Sequence, residues 1–419
     1  MKIRRVIATP GVGGWYSTDL EAIRRGAKPD ANGFLYEGEP VTPGFSAIRQ
    51  PAWTVCLQLL LEDGLVAYGD CATMTFAGRG GGRDAPVGPE GLIGTIERAV
   101  VPHLVGLDVS RFRPNDQLLA GLQVDGGPLP PAARYGISQA LLDATAKARR
   151  LPMARVLADE WGMSLPTTPV ALNLQTGPDS DRGIDKIILR RGAVIHTRQP
   201  HNPRMFAEIP GFLTALRERL QRLAPADYRP RIHIDFYGLM EELFENDPDR
   251  MVAHIAELER LAAPYALLVG DPVELETREA QIDVMARVRR GMRRLGLASR
   301  TVAEEHCLTV DDHRAFLDAE AADYQKIRPL DLGNFGAMMD IARLVKVERA
   351  SAGVGIYLSG SGAETQQAGL ARVHLALAAN VDVMLGSPSM DVDGAHTLAT
   401  NEMTKLFALL PGSPSGPME

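Results

Sequence analysis

Cysteine is scarce: the chain of 419 residues has three, Cys56, Cys71 and Cys307. The number is odd and no pair has Cys-x-x-Cys spacing, which argues against a disulfide framework and for a reducing, cytoplasmic setting. No apolar run reaches 18 residues, so no transmembrane helix is expected. The segment Met1–Pro10 starts basic, but its apolar run is too short for a secretory signal. A basic excess is also missing. The formal net charge is −7 and no Lys/Arg stripe stands out, which argues against nucleic acid as a partner. The glycine-rich stretch at residues 78–84 lacks the Gly-Lys-Ser/Thr of a phosphate loop. It reads as a mobile loop or as a lid over a neighbouring site. Low complexity is confined to the proline- and glycine-rich end, so residues 411–419 are expected to be a disordered tail.

What is present is ordinary for a globular protein: 45% hydrophobic and 23% charged residues, on a length that suits a barrel with an added domain. Residues 1–160 read as an α+β unit. Thr54–Gly69 is two strand-like runs around Asp63-Gly64, a hairpin signal. Residues 89–107 and 134–161 have helical periodicity, the second with Ile137, Ala140, Leu141, Ala144 and Ala148 on one stripe.

From residue 161 to 410 the pattern changes to short apolar runs that end in polar residues and alternate with helical segments. Four of these runs organise the chain: Arg231–Gly238, Leu267–Pro272, Thr301–His306 and Tyr324–Pro329. Their ends, Asp235, Gly270, Glu304 and Arg328, follow one another about as closely as βα units require, roughly 30 residues each. With Val170–Gln175, Ala193–His196, Gly353–Gly362 and Val381–Pro388, about eight strand ends can be counted, the number a closed barrel needs. Polar residues at the C-terminal strand ends of such a barrel form its catalytic face.

These residues resemble the methylaspartate ammonia-lyase family of the enolase superfamily. The resemblance is densest at residues 44–49, 61–72, 134–143, 233–238 and 401–403. It implies an α/β architecture, an enolase-like modified (β/α) barrel with an N-terminal α+β capping domain, in a homodimer or higher homo-oligomer. It implies a carbon–nitrogen lyase that abstracts a proton next to a carboxylate and eliminates ammonia from an aspartate-like amino acid. It also implies Mg²⁺ on three carboxylates at successive strand ends, and two bases. That chemistry has a physical reason: removing a proton α to a carboxylate builds up negative charge, which a divalent cation on the oxygens stabilises.

Carried onto this chain, the resemblance gives Asp235 and Glu304 as metal ligands, Glu304 standing where the family has Asp. The second ligand position holds Gly270, with Asp271 one residue late. On a continuing strand Asp271 would point to the opposite face; if the strand has ended, it is free to take the missing ligand's part. Lys326-Ile327-Arg328 stands where the family has Gln-x-Lys. Arg328 is a carboxylate clamp rather than a base. Lys326 shares its face, and a neighbouring cation would lower its pKa into a basic range; alternatively, both cations only pair with Glu304, Glu305 or Asp235. His196 lies near the second base position. Gln175, Ser361, Gly362, Thr75 and Arg328 fall where the family binds substrate. His306 and Cys307 invite a zinc reading, but the soft-ligand spacing is absent. Two further readings stay open: an enolase-superfamily enzyme that eliminates, racemises or epimerises another carboxylic acid, and a degenerate non-catalytic homologue.

Overall fold

The computed structural model describes residues 1–30, 34–73, 88–176, 180–200 and 202–409. The chain begins with an antiparallel sheet of three strands, β1 (Ile3–Thr18), β2 (Arg49–Leu61) and β3 (Val66–Ala72), in the order β1-β2-β3. The expected hairpin is there: Leu60 pairs with Val66 across a turn in which Gly64 takes φ +88°. A short helix, α1 (Leu20–Arg24), follows β1 and is capped by Asp19, whose carboxylate accepts from Ala22 N.

The long helix α2 (Pro131–Arg149) lies directly on β3. Glycine makes this approach possible. A Cβ on Gly69 would come within 2.1 Å of Gly136 O, and one on Gly136 within 2.4 Å of Cys71 N. The single helical stretch expected over 134–161 is broken in two. Arg150 turns into the left-handed region at φ +54°, and Pro152 precedes a second helix, Met153–Trp161. The stretch at 89–107 is likewise split, into Pro89–Ala99 and Val101–Leu104.

Eight parallel strands then close into a barrel: β4 (Ala171–Gln175), β5 (Val194–Arg198), β6 (Arg231–Asp235), β7 (Leu267–Gly270), β8 (Arg300–Ala303), β9 (Tyr324–Ile327), β10 (Gly355–Leu358) and β11 (Val383–Leu385). Their order around the barrel follows the chain, with β11 pairing back onto β4. Side chains two apart share a face. One inward layer is apolar: Val194, Leu268, Val302, Tyr357, Val383 and Leu385 form a buried cluster separate from the main core. The next inward positions towards the strand ends are polar: Asn173, His196, His233, Glu304 and Lys326, with Gly270 among them. The barrel is thus plugged below and chemically equipped above, as in other (β/α) barrels.

The sheet-and-helix unit is fastened to the barrel by buried polar contacts. Tyr135 of α2 donates to Glu364 Oε1 at 2.9 Å, and Arg372 Nε lies 3.5 Å from the same oxygen. Thr365 Oγ1 donates to Asp70 Oδ2 at 2.5 Å. Asp116 accepts from Ser138, Asn334 and Gly336 N, which pins the segment after β9. Arg24 of α1 donates to Glu274 at 2.7 Å, three residues beyond Asp271.

Candidate active site

The charged half of the barrel mouth is built from β6 to β9. Asp235 is the last residue of β6 and Gly270 the last of β7. Beyond Gly270 the chain turns sharply: Asp271 has φ +37°, a rare value for a residue with a side chain. Gly238 N donates to its carbonyl at 2.9 Å. The strand has therefore ended, and the Asp271 carboxylate joins those of Asp235 and Glu304, with one oxygen from each within 4.8 Å of the others. Asp271 Oδ1 also accepts from Glu304 N at 3.1 Å.

Lys326 and Arg328 meet these carboxylates from β9. Lys326 Nζ bonds Glu304 Oε2 and lies 3.5 Å from Asp235 Oδ2. Arg328 Nη1 donates to Glu304 Oε1 and to Glu305 Oε1, both at 3.1 Å, and its Nε is 2.5 Å from Asp331 Oδ2. Lys326 is 3% exposed and Arg328 6%, so this is a buried ion cluster rather than a surface one.

Burial and charge compete at each member. Burial pushes Asp235 up to about 6, against the pull of Lys326. Burial and the charges of Glu304 and Asp235 push Asp271 well above the carboxylate range. For Glu304 burial is outweighed: Lys326 and Arg328 hold it well below its ordinary value. For Lys326 burial is outweighed too, by Glu304, Asp235 and Asp271, so its pKa is raised. The lowering expected from Arg328 is not found, because three carboxylates surround the ammonium where one cation was anticipated.

The other half of the mouth is neutral. His196, on β5, packs against His233 of β6 with ring centres 4.3 Å apart and the planes tilted by 38°. Burial, reinforced by Lys326, lowers the His196 pKa to about 3. His233 is driven well down by burial and by His196. His233 Nδ1 lies 3.1 Å from Asn173 Nδ2 and 3.3 Å from the Tyr357 hydroxyl. Its Nε2 is buried without a hydrogen-bond partner and faces Gly270, whose Cβ would stand 2.7 Å away. Gln175, at the end of β4, donates to Gln199 Oε1, and Gln199 Nε2 lies 3.2 Å from His196 Nε2.

The expected site residues are therefore brought together in two groups: Asp235, Asp271, Glu304, Lys326 and Arg328 in one, His196 and Gln175 in the other. Ser361 belongs to the Glu364 network, to which its backbone N–H donates at 2.6 Å; Gly362 is its neighbour. Thr75 and the glycine-rich loop lie outside the described residues. His306 does not build a zinc site with Cys307: its Nε2 is 2.7 Å from Leu275 O. Sequence reasoning missed His233, Asn173, Tyr357 and Gln199. The first was within reach, since His233 stands two residues before Asp235 and must share its inward face.

An all-oxygen set of three carboxylates suits a hard divalent cation such as Mg²⁺. Asp235 Oδ1 is buried with no hydrogen-bond partner, which is the state of an oxygen left for a cation.

Comparison with known proteins agrees along the whole chain. The family described as "Methylaspartate ammonia-lyase N-terminus" matches residues 1–162, and "Methylaspartate ammonia-lyase C-terminus" matches residues 164–411. The chain belongs to the methylaspartate ammonia-lyase family. Within it, methylaspartate ammonia-lyase 2 of Carboxydothermus hydrogenoformans is 36% identical, over 98% of this chain and 99% of that protein. The methylaspartate ammonia lyase of Citrobacter amalonaticus, solved with (2S,3S)-3-methylaspartic acid, superposes with a TM-score of 0.90 at 35% identity, covering 98% and 99% of the two chains. The Mg complex of β-methylaspartase from Clostridium tetanomorphum gives 0.88 at 34%, with the same coverage. Muconate lactonizing enzyme from Pseudomonas putida, at 18% identity and a TM-score of 0.60 over 90% of this chain and 85% of that one, shares the fold. The enolase-superfamily barrel expected from the sequence is thus found, and the chain is a lyase-family member throughout.

Proposed function

We propose that this member of the family is a carbon–nitrogen lyase that removes the proton next to a carboxylate of an aspartate-like amino acid, with 3-methylaspartate as the first candidate, and releases ammonia. The observation that carries this reading is the pairing of a three-carboxylate group, two of its members buried, with a buried imidazole at one barrel mouth.

Asp235, Asp271 and Glu304 would hold Mg²⁺, with Asp271 taking the part for which Gly270 has no side chain. When bound, the ion supplies positive charge to the carboxylate oxygens that gain negative charge as the neighbouring proton leaves. The chain's own groups do the rest. His196 is unprotonated at neutral pH, so a ring nitrogen is open to a proton, and its lowered pKa makes it a weak base that needs a proton acidified by the bound cation. Lys326 and Arg328 keep their charges and orient an anionic substrate. Arg328 Nη2, buried and without a hydrogen-bond partner, is available to a substrate carboxylate. The electron pair left by the proton forms the double bond as the C–N bond breaks, and the amine leaves with the pair from that bond. Gln175, Ser361, Gly362 and Thr75 are the proposed substrate contacts.

Calorimetry tests this directly. Mg²⁺ binds the wild-type chain in the millimolar range or tighter, and Asp235→Asn weakens it at least about tenfold. An absence of binding at millimolar Mg²⁺, or binding untouched by Asp235→Asn, sinks the proposal. A second reading is favoured by Lys326 and Arg328, which put two fixed cations where the family has one base: the same proton abstraction on a different acid. Deuterium exchange into a panel of dicarboxylic and amino acids separates the two.

The division into a cap (1–160) and a catalytic barrel (161–410) is supported by the two family matches, which meet at residues 162 and 164. A homodimer or higher homo-oligomer is supported by Val12 and Trp53, an apolar pair across β1 and β2 that is 71% and 43% exposed. Light scattering in solution tests it. A cytoplasmic location is supported by three free thiols; no described helix is long and apolar enough to cross a membrane.

A further inference from the structure

One side chain from the loop after β5 touches two groups that the proposed reaction needs on the neutral half of the mouth. Gln199 accepts from Gln175 Nε2 through its Oε1, at 3.2 Å, and its Nε2 lies 3.2 Å from His196 Nε2. We propose that Gln199 is the positioning residue of His196: its amide N–H donates to Nε2, which places the imidazole proton on Nδ1 and holds the Nε2 lone pair towards the mouth until the substrate displaces that amide and its proton takes the amide's place. This rests on the reading of His196 as the base.

The argument is one of hydrogen-bond direction. An amide accepts only at its oxygen and donates only at its nitrogen. Once Gln175 donates to Oε1, the other end of Gln199 must donate to the ring. A neutral imidazole has one donor nitrogen and one acceptor, and the bond made by either nitrogen fixes both. Nδ1 of His196 is buried and has no hydrogen-bond partner, so no contact on that side contests the assignment. The ring is further restrained by His233 beneath it at 4.3 Å. The backbone agrees with this bridge: Gln175 pairs with His196 across β4 and β5, and Thr176 N donates to His196 O at 3.0 Å. Gln199 closes a side-chain link over the same rung. Gln175, the proposed carboxylate contact, and His196, the proposed base, are thereby held in register by one amide.

The test uses the full chain with Mg²⁺ and (2S,3S)-3-methylaspartic acid, and ¹⁵N NMR of the His196 ring in the free protein. The wild-type ring carries its proton on Nδ1. Gln199→Leu lowers kcat about tenfold with KM changed less than about threefold. Gln199→Glu has nearly the same shape but no donor; it draws the proton to Nε2 and lowers kcat by about 100-fold or more, the range of a lost general base. A purely structural role predicts the reverse order, with the isosteric Glu milder than Leu. A wild-type ring protonated at Nε2, or a Gln199→Glu variant at least as active as Gln199→Leu, overturns the proposal. The NMR result on the wild type stands even where a variant fails to fold. His196→Asn separates the two layers: full activity there removes the reading of His196 as base, while the ring's tautomer still judges the Gln199 contact.

Discussion

The two halves of the barrel mouth handle polarity in opposite ways. From β6 to β9 the polar groups are ions, and most of them are paired: Lys326 with Glu304 and Asp235, Arg328 with Glu304, Glu305 and Asp331. Across β4, β5 and β6 they are neutral, and several buried atoms have no hydrogen-bond partner, among them Asn173 Oδ1, His196 Nδ1 and His233 Nε2. Charge held next to low-dielectric walls needs counter-charge, and the first half supplies it. The imidazoles sit in the opposite setting, one in which the charged form is costly; this keeps them unprotonated at neutral pH and makes them weak bases. The difference shows how one pocket can hold Glu304 ionised between two cations and an imidazole uncharged within the same barrel.

Acid should break the neutral half first, with the largest effect. The folded pKa values of His196 and His233 lie below the value near 6.5 that they recover on unfolding. Their contribution is complete above pH 6.5 and is lost as the pH falls towards about 3 for His196. Each such group costs about 1.4 kcal/mol of stability per pH unit in that window. Denaturant unfolding at pH 7, 6 and 5 should show this fall, and His196→Asn should make it shallower. An equal slope in the variant would mean that the imidazole is not held neutral.

Removing charge from the other half comes next. Glu304→Gln leaves Lys326 and Arg328 without the carboxylate they share. Unpairing a buried ion of this kind costs about 3–5 kcal/mol, measured as a lower denaturation midpoint. A cost below about 1 kcal/mol would show that Glu305, Asp235 and Asp331 suffice. The smallest effect lies where the halves meet. Gly270→Ala puts a Cβ 2.7 Å from His233 Nε2, so the imidazole must move, at about 1–3 kcal/mol. His233→Ala in the same chain should recover part of that loss. If it does not, the two positions are not in contact.

Much of this was legible in the sequence, for physical reasons. The barrel follows from apolar runs at βα spacing, and Asp235 and Glu304 from their places at strand ends. The pairing of Lys326 and Arg328 with Glu304, Glu305 and Asp235 was one of two anticipated arrangements. The part of Asp271 was not readable, because it turns on a backbone angle of +37° that an Asp-Pro sequence does not announce. The raised pKa of Lys326 was missed because it needs the number of carboxylates within reach, a property of the closed barrel. Gln199 carries no periodic signal, since it follows the last residue of β5. The break at Arg150 was marked by Pro152, but the apolar stripe running up to it, from Ile137 to Ala148, suggested continuity.

The seam at Glu364 carries a consequence for recombining this protein. Gly14 of β1 lies so close to Glu364 O that a Cβ there would overlap it at 1.8 Å, while Tyr135 and Arg372 hold the Glu364 carboxylate from two sides. The N-terminal and C-terminal parts are thus not interchangeable cassettes. A chimera that takes its first 160 residues from another member must bring a glycine that clears the Glu364 carbonyl and a tyrosine that reaches its carboxylate, and one that does not would leave a buried acid facing a mismatched surface.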